Sequence, residues 1–346
     1  MFVAILLFLL LLTAAFSFLV DERPMVRWVV FTLVVVVLTL MAGLRPIGID
    51  KDSWQYYAYY LGKFDDMVEY SFILISDIVR VAFGDVRGVF FIYALIAIPL
   101  KCYVFTKLSN EIFLLLGVYM SNFLILHDMT QIRVGAAMAF IFLGFYYLTQ
   151  GRRWPCFFLI LIATAFHVSA VLMLAILIFR NVELRSWHRI VLALIPFLAL
   201  TSVFFDVNVS TLIPIEFIQS KLEVYEDLKE KGLVEAEKIN IFNAAIMLKI
   251  AVYYFLLWKY DVVKQYCPYL TLLLKIFALS YVCLGVFNFL AVLACRINEL
   301  FGFVEILMVP LIIHAISPKY VARVLLLIYM VGIFLLNVMY AELLKF

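Results

Sequence analysis

Long apolar stretches recur along this chain, and the short segments between them hold most of the charged residues. A helix needs about 20 apolar residues to cross the hydrocarbon core, so each stretch of that length predicts a transmembrane helix. The predicted spans are 2–20, 25–42, 88–107, 110–126, 133–149, 188–206, 241–259, 269–294, 298–315 and 321–341. The expected fold is therefore all-α, a polytopic membrane helical bundle of about ten full spans.

The amino-acid composition is also typical of a polytopic membrane protein. Hydrophobic residues make up 67% of the 346 residues, charged residues make up 15%, and the mean hydropathy is +1.11. No polar stretch is long enough for a soluble domain, so we expect a single transmembrane domain over 1–346, with outer loops at 43–87 and 207–240. The net charge of +3 is small and scattered, which argues against a nucleic-acid partner.

Residues 154–180 do not fit the spacing of ordinary spans. They are apolar over about 40 Å at 1.5 Å per residue, too long for one upright crossing and too short for two. If they form a re-entrant or broken helical hairpin, every short basic connector lies on the cytoplasmic side, as the positive-inside rule expects. Those connectors contain Arg23/Arg27, Lys101/Lys107, Arg152/Arg153, Arg180/Arg185/Arg189, Lys259/Lys264 and Lys319/Arg323. We therefore predict a hairpin with His167 at its tip.

This topology brings polar residues to the extracytoplasmic side. Arg45, Arg133 and Arg296 lie there at the edges of spans, and three cations on one side indicate an anion site. Arginine suits a diphosphate because its planar fork binds phosphate oxygens in pairs. For each arginine alone, snorkelling to lipid headgroups is the plainer alternative. His167 and Asp50 are of the right type for a general base.

Other residues on that side are candidates for holding a substrate. Trp54 and Tyr56 are suited to stacking on sugar rings, although an interfacial aromatic belt is the plainer explanation for most of the aromatic residues in this loop. Glu299 is one helical turn after Arg296 and can fix its guanidinium as an i,i+3 pair. In the loop 207–240, a helical stripe predicts either a lid or an amphipathic helix packed on the bundle. The stripe consists of Ile215, Ile218, Leu222, Tyr225 and Leu228.

Four short motifs follow one another along the chain. They are Ala42-Gly-Leu-Arg45-Pro-Ile-Gly48-Ile-Asp50 with Trp54 and Tyr56 after it, Gln131-Ile-Arg133, Phe166-His167-Val-Ser169-Ala, and Arg296-Ile-Asn-Glu299. In this order and spacing, the chain resembles the EpsG/Wzy group of polysaccharide polymerases. The resemblance runs from residue 42 to residue 299. Because Asp50 and Asp52 flank a lysine, either one can match the aspartate of that group.

The resemblance implies a membrane glycosyltransferase with a fold similar to the GT-C type. Such a protein lies in a bacterial inner membrane and joins oligosaccharide repeat units carried on polyprenyl (undecaprenyl) diphosphate, as in O-antigen, capsule or exopolysaccharide assembly. Its active site faces the periplasm or the outside, it needs no cofactor or metal, and its partners are membrane lipid, the lipid-linked glycan and a chain-length regulator. The implied substrate-binding residues are Trp54, Tyr56, Gln131 and Glu299.

Several alternatives stay open. The Asp50-Lys-Asp52 segment matches a DxD pattern that holds a divalent metal in some glycosyltransferases, but the lysine weakens the attraction for a cation. A flippase or transporter also needs a cationic cavity, yet the two halves of the sequence show no repeat. An O-acyltransferase would use an intramembrane histidine without three outer arginines. An O-antigen ligase uses similar Arg and His chemistry, and the Arg-x-x-Gly-x-Asp pattern favours a polymerase over it.

Overall fold

The computed structural model describes residues 1–19, 24–63, 68–205 and 239–345. The described residues form helices joined by short turns. The α-helices are α1 Phe2–Leu19, α2 Pro24–Gly43, α3 Ser53–Tyr60, α4 Tyr70–Ala82, α5 Arg87–Leu108, α6 Ile112–Ser121, α7 Ile132–Thr149, α8 Arg153–Phe166, α9 Ser186–Phe204, α10 Ala244–Trp258, α11 Tyr260–Val263, α12 Leu270–Val286, α13 Ala291–Phe301, α14 Glu305–Met308 and α15 Lys319–Leu335. The all-α helical fold is confirmed.

Contacts divide the chain into two compact units. The first consists of Met1–Asn181 and Val309–Phe346, and the second of Val182–Met308. The interpretation of 1–346 as one transmembrane domain remains a prediction. The predicted stripe in the loop 207–240 lies outside the described residues.

Helices α2, α5, α7 and α8 pack in succession at the centre of the first unit. Small residues on α7 allow this close packing. Ala136, Ala137 and Ala139 are fully buried, and Gly144 lies against Cys156 of α8. Small side chains at helix contacts let backbones approach closely in membranes, where packing rather than water drives association.

The stretch 154–180 forms a hairpin, as predicted. Helix α8 ends at Phe166, His167 has extended backbone, and a 3₁₀ helix follows over Val168–Ile178. The two arms pack against each other, and the Arg153 guanidinium donates to the Phe179 carbonyl at 3.3 Å. The two ends of the segment therefore meet, and His167 lies at the tip.

The predicted span 110–126 is not a single straight helix. Helix α6 ends at Ser121, a π-helix follows over Leu124–Thr130, and the two are bent by 64°. We call residues 122–130 the bent segment. The side-chain amide of Asn337 donates to the Ser121 carbonyl at 3.0 Å, which satisfies one of the backbone groups that the bend exposes.

Fewer helices qualify as full spans than the sequence predicts. Six described helices are long and apolar enough to cross a membrane, or seven if the bent pair counts as one span. They are Met25–Gly43, Arg87–Leu108, Ile132–Thr149, Ser186–Phe204, Ala291–His314 and Lys319–Tyr340. The remaining apolar helices are shorter, so the prediction of about ten full spans is not confirmed.

One pair of predicted boundaries is wrong in the second unit. The predicted spans 269–294 and 298–315 are instead Leu270–Val286 and Ala291–His314. The turn between them is a run of apolar and aromatic residues around Asn288 and has no glycine or proline to mark it. The Asn288 amide donates to the Ser202 carbonyl of α9 at 3.3 Å, so a tertiary contact helps to hold the turn.

Candidate functional site

The centre of the candidate site is a carboxylate to which sequence reasoning assigned no role. Glu69 has extended backbone and immediately precedes α4. The backbone amide of Phe72, in the first turn of α4, donates to the Glu69 carbonyl at 2.9 Å. Its side chain is 10% exposed. One carboxylate oxygen, Oε2, pairs with Nη1 of Arg133, and the other, Oε1, faces His167. Glu69 therefore joins two residues that the sequence had predicted for the site.

His167 owes its place to the break in the hairpin. Its Nδ1 lies 3.2 Å from Glu69 Oε1, and the same oxygen accepts from the Val168 amide at 3.2 Å. With the Nδ1 proton directed at this carboxylate, Nε2 of the neutral ring is left as an acceptor. Phe166 helps to hold the tip of the hairpin in place, since its ring stacks on that of Phe140 with centroids 5.4 Å apart.

Arg133 is in the first turn of α7 and lies among tyrosine rings. Its guanidinium carbon is 5.9 Å from the Tyr56 ring centroid and 5.7 Å from that of Tyr59. Aromatic faces attract a guanidinium and keep it oriented when part of its hydration is lost. The Arg133 side chain is 19% exposed, so one edge of the charge remains accessible.

Glu69 and Tyr56 each keep one charge state near neutral pH. Burial raises the pKa of the Glu69 carboxyl, but the hydrogen bond from His167 and the charge of Arg133 outweigh it and lower the pKa from 4.5 to about 2. Burial raises the pKa of Tyr56 to about 12, although Arg133 acts in the opposite direction. Glu69 is therefore an anion and Tyr56 a neutral phenol.

Arg45 and Asp50 form a second, fully enclosed cluster. Arg45 Nε donates to Asp50 Oδ2 at 2.8 Å, Nη1 donates to the Ala42 carbonyl at 2.6 Å, and Nη2 donates to the Met129 carbonyl. Both side chains of the ion pair have no exposed area, and the guanidinium lies 4.2 Å from the Phe90 ring centroid. This geometry favours a positioning role for both residues over direct contact with diphosphate or a reacting hydroxyl.

Phe90 links the two clusters. The Tyr56 ring packs edge-on against Phe90 with centroids 6.3 Å apart, and Arg45 lies over the same ring. Asp50 also holds the loop locally, since its Oδ1 accepts from the Asp52 amide at 3.1 Å. Both carboxylate oxygens of Asp50 thus have protein partners, which weakens the metal interpretation of Asp50-Lys-Asp52.

Trp54 and Gln131 lie at the edges of these clusters. Trp54 is 60% exposed, and its indole lies over Gly48, where an added Cβ would come within 2.9 Å of Nε1. Gly48 has a φ of +87°, so this position favours glycine on both counts. Gln131 directly follows the bent segment, and its backbone amide donates to the Leu126 carbonyl at 2.9 Å.

Arg296 and Glu299 belong to the second unit. Arg296 is exposed on α13 and Glu299 is partly buried. In the described part of this unit, the ion pair near them joins Lys249 to Glu305 at 2.8 Å. The i,i+3 spacing had predicted an ion pair between Arg296 and Glu299, and the described residues do not form it. Arg133 and His167 lie together in the first unit, and the role of Arg296 remains a prediction.

A buried charge cluster was missed by sequence reasoning. Lys101, which the topology argument had placed in a cytoplasmic connector, is 1% exposed inside α5. Its Nζ lies 2.6 Å from Oδ1 of Asp128 in the bent segment, and Oδ2 of Asp128 accepts from the Tyr119 hydroxyl. The assignment of Lys101 to a connector was wrong because the residue lies within the C-terminal third of a helix, too far inside for its charge to count toward a loop.

Fold and site define a polytopic membrane protein with a polar, partly buried cluster of a histidine, a carboxylate and an arginine at one end of its first unit. A model of the EpsG family matches residues 28–344, nearly the whole chain. The chain belongs to the EpsG family, the family of Wzy-like polysaccharide polymerases. Comparison with curated proteins and with solved structures finds no match.

Proposed function

We propose that this protein polymerises oligosaccharide repeat units carried on polyprenyl diphosphate, and that the His167, Glu69 and Arg133 cluster is its active site. The supporting observation is that Glu69 holds His167 and Arg133 on its two carboxylate oxygens. A base and a cation are thereby fixed beside each other, which is the pair of functions that glycosyl transfer from a diphosphate requires.

The reaction breaks the bond between the anomeric carbon of the growing glycan and its diphosphate oxygen. A hydroxyl of the incoming lipid-linked repeat unit forms the new glycosidic bond, and its proton passes to Nε2 of His167. The polyprenyl diphosphate leaves with the bonding electrons. Arg133 stabilises the charge that develops on the departing oxygen, an effect that is strong where water is largely excluded.

Glu69 completes the arrangement as a positioning residue. Its negative charge favours the imidazolium that forms on His167 during transfer, while its hydrogen bond keeps Nε2 turned toward the acceptor. Trp54 and Tyr56 remain candidates for packing against the sugars, and Gln131 remains a candidate for binding them. Arg296 is the further candidate for the diphosphate, with Glu299 next to it.

The protein is proposed to lie in a bacterial inner membrane with this cluster on the periplasmic or outer side. The basic connectors support that orientation through the positive-inside rule, even without Lys101. The proposed partners are membrane lipid, the undecaprenyl diphosphate-linked glycan and a chain-length regulator.

The test is polymerisation by the purified protein in detergent, with authentic lipid-linked repeat units, EDTA and analysis of products on a gel. We expect a ladder from the wild type, a ladder weakened by about 10²-fold or more from His167→Ala or Arg133→Ala, and a normal ladder from Arg87→Ala. Arg87 is the matched control because it is an exposed arginine paired with Asp85.

Two results would contradict the proposal. The absence of any ladder from folded wild type would refute polymerisation, and passage of the lipid-linked unit across the membrane of vesicles reconstituted with the protein would indicate a transporter. A ladder that requires added Mn²⁺ would indicate the Asp50/Asp52 metal mechanism.

A further inference from the structure

The bent segment meets α5 and α6 through charged and hydroxyl groups that are buried inside the first unit. Lys101 and Asp128 have side chains that are 1% and 0% exposed, and the Tyr119 hydroxyl donates to the same carboxylate. We call these three residues the buried triad. Ionisable groups in transmembrane segments are costly and are usually retained where a function depends on them.

We infer that the buried triad is a positioning device for the proposed active site: it fixes the bent segment so that Arg133 and the Arg45 loop keep their places. This inference rests on the proposed function. It concerns residues that the reaction does not touch and that the four sequence motifs do not contain.

The position of Asp128 in the bent segment supports this role. Its neighbour Met129 supplies the carbonyl that accepts from Arg45, and α7 begins shortly afterwards with Arg133 in its first turn. A displacement of Asp128 would therefore move the anchor of the Arg45 loop and the base of Arg133 together.

Close packing at the start of α7 makes the coupling stiff. An added Cβ on Gly135 would lie 2.6 Å from Asp128 Oδ1 and 2.8 Å from the His127 carbonyl. The helix that carries Arg133 thus rests directly on the carboxylate that Lys101 holds. Densely packed contacts transmit such shifts because little free volume absorbs them.

Helix α5 contacts both the Arg45 loop and the bent segment. Its Phe90 ring lies under Arg45, and its Lys101 binds Asp128. The π-helical form of Leu124–Thr130 also fits the inference, since π-helical turns are frequent at functional sites. A regular α-helix through these residues would change which side chains face α5 and α7.

The test separates positioning from mere stabilisation. A triple variant Lys101→Met, Asp128→Leu and Tyr119→Phe keeps the approximate volume and leaves no lone charge or hydroxyl buried, a replacement that often preserves folding. We expect kcat to fall by about 10²-fold with KM within about threefold, since misplacement by about 1 Å has that effect. Arg87→Ala, which removes an exposed ion pair at the start of the same helix α5, is the control and should retain kcat within about threefold.

A second variant and a second readout keep the inference falsifiable if the triple variant does not fold. Asp128→Glu keeps the charge but lengthens the side chain, and it should lower kcat by about tenfold. Amide hydrogen exchange of residues 44–52 and 129–134 should accelerate by about tenfold in either variant, while α1 stays unchanged. This readout is independent of catalysis.

The outcomes distinguish this inference from the proposed function. Loss of protection around Arg45 and Arg133 supports the positioning role even if the wild type polymerises nothing. Folded triple and Asp128→Glu variants with wild-type kcat and wild-type exchange would overturn the inference while leaving the polymerase intact.

Discussion

The carboxylate of Glu69 lies 3.2 Å from Nδ1 of His167, although 98 residues separate them in the chain. The contact joins the start of a surface helix to the tip of a membrane hairpin. Because the other carboxylate oxygen pairs with Arg133, one side chain fixes both the orientation of the His167 ring and the position of the Arg133 guanidinium.

Replacing Glu69 by glutamine should inactivate the enzyme without unfolding it. With the amide oxygen facing Arg133, the amide nitrogen faces Nδ1 of His167 and forces the proton onto Nε2, the wrong tautomer for a base. We expect kcat to fall by about 10²-fold or more in the polymerisation assay.

Asp77→Asn is the matched control, because Asp77 is an exposed carboxylate on α4 paired with Arg80. It should leave kcat within about twofold, since surface ion pairs contribute little. Normal turnover by a folded Glu69→Gln variant would mean that Glu69 does not orient His167.

The stability of the protein should depend on pH through Glu69. The folded-state pKa of this carboxyl is depressed from 4.5 to about 2, so its contribution is fully present above about pH 4.5 and is lost as the pH falls toward 2. The total contribution of ionised Glu69 to the free energy of unfolding is about 3 kcal/mol. Thermal unfolding of wild type and Glu69→Gln from about pH 6 down to about pH 3 measures the larger part of this contribution, about 2 kcal/mol, since the rest is lost only below pH 3.

We expect the wild type to lose more stability than the Glu69→Gln variant over that interval. The comparison removes the contributions of other carboxyl groups, which titrate in both proteins. Parallel curves would show that the ion pair with Arg133 does not hold Glu69 ionised.

Arg45 and Asp50 should behave as a structural pair. Removing either one leaves an uncompensated buried charge, so Arg45→Ala and Asp50→Ala should each destabilise the protein by about 3–5 kcal/mol. The double variant should lose less than the sum of the two by about 1–3 kcal/mol, as thermal unfolding in detergent would measure. Normal stability of Arg45→Ala combined with a raised KM would instead support diphosphate binding by Arg45.

Two glycine-to-alanine variants, one of them a control, test how closely α7 packs against the bent segment. Gly135→Ala places a methyl group 2.6 Å from Asp128 Oδ1, so the start of α7 must shift. We expect a loss of about 1–3 kcal/mol, the usual effect of overpacking. Gly332→Ala lies on α15, where an added Cβ meets nothing within 4 Å, and it should stabilise the helix by up to about 1 kcal/mol. Equal thermal stability of the two variants would contradict the close approach.

Apolar periodicity and charge placement predicted much of the fold. The hairpin was predictable because its length fits no ordinary span and because the positive-inside rule penalises a single crossing. The bend after Ser121 was not, since Asn122 interrupts that apolar run only weakly and the bend depends on a contact from Asn337, far along the chain.

The sequence predicted which types of residue form the site, but not which of these residues contact one another. His167 and Arg133 stand out because polar groups at span edges are costly unless they have a use. Glu69 carried a usable signal, since it is a carboxylate directly before an apolar helix, but nothing local indicates that it meets residues so distant in sequence. Lys101 and Asp128 were hidden for the same reason, because an ion pair between helices has no sequence spacing.

The most direct test of the central claim is a double-mutant cycle on kcat/KM with Glu69→Gln, His167→Ala and the combined variant in the polymerisation assay. If Glu69 acts by orienting His167, the combined variant should be no slower than His167→Ala alone, since residues that act as a unit are non-additive. If the two losses multiply, Glu69 and His167 act independently, and Glu69 is not the residue that orients the catalytic base.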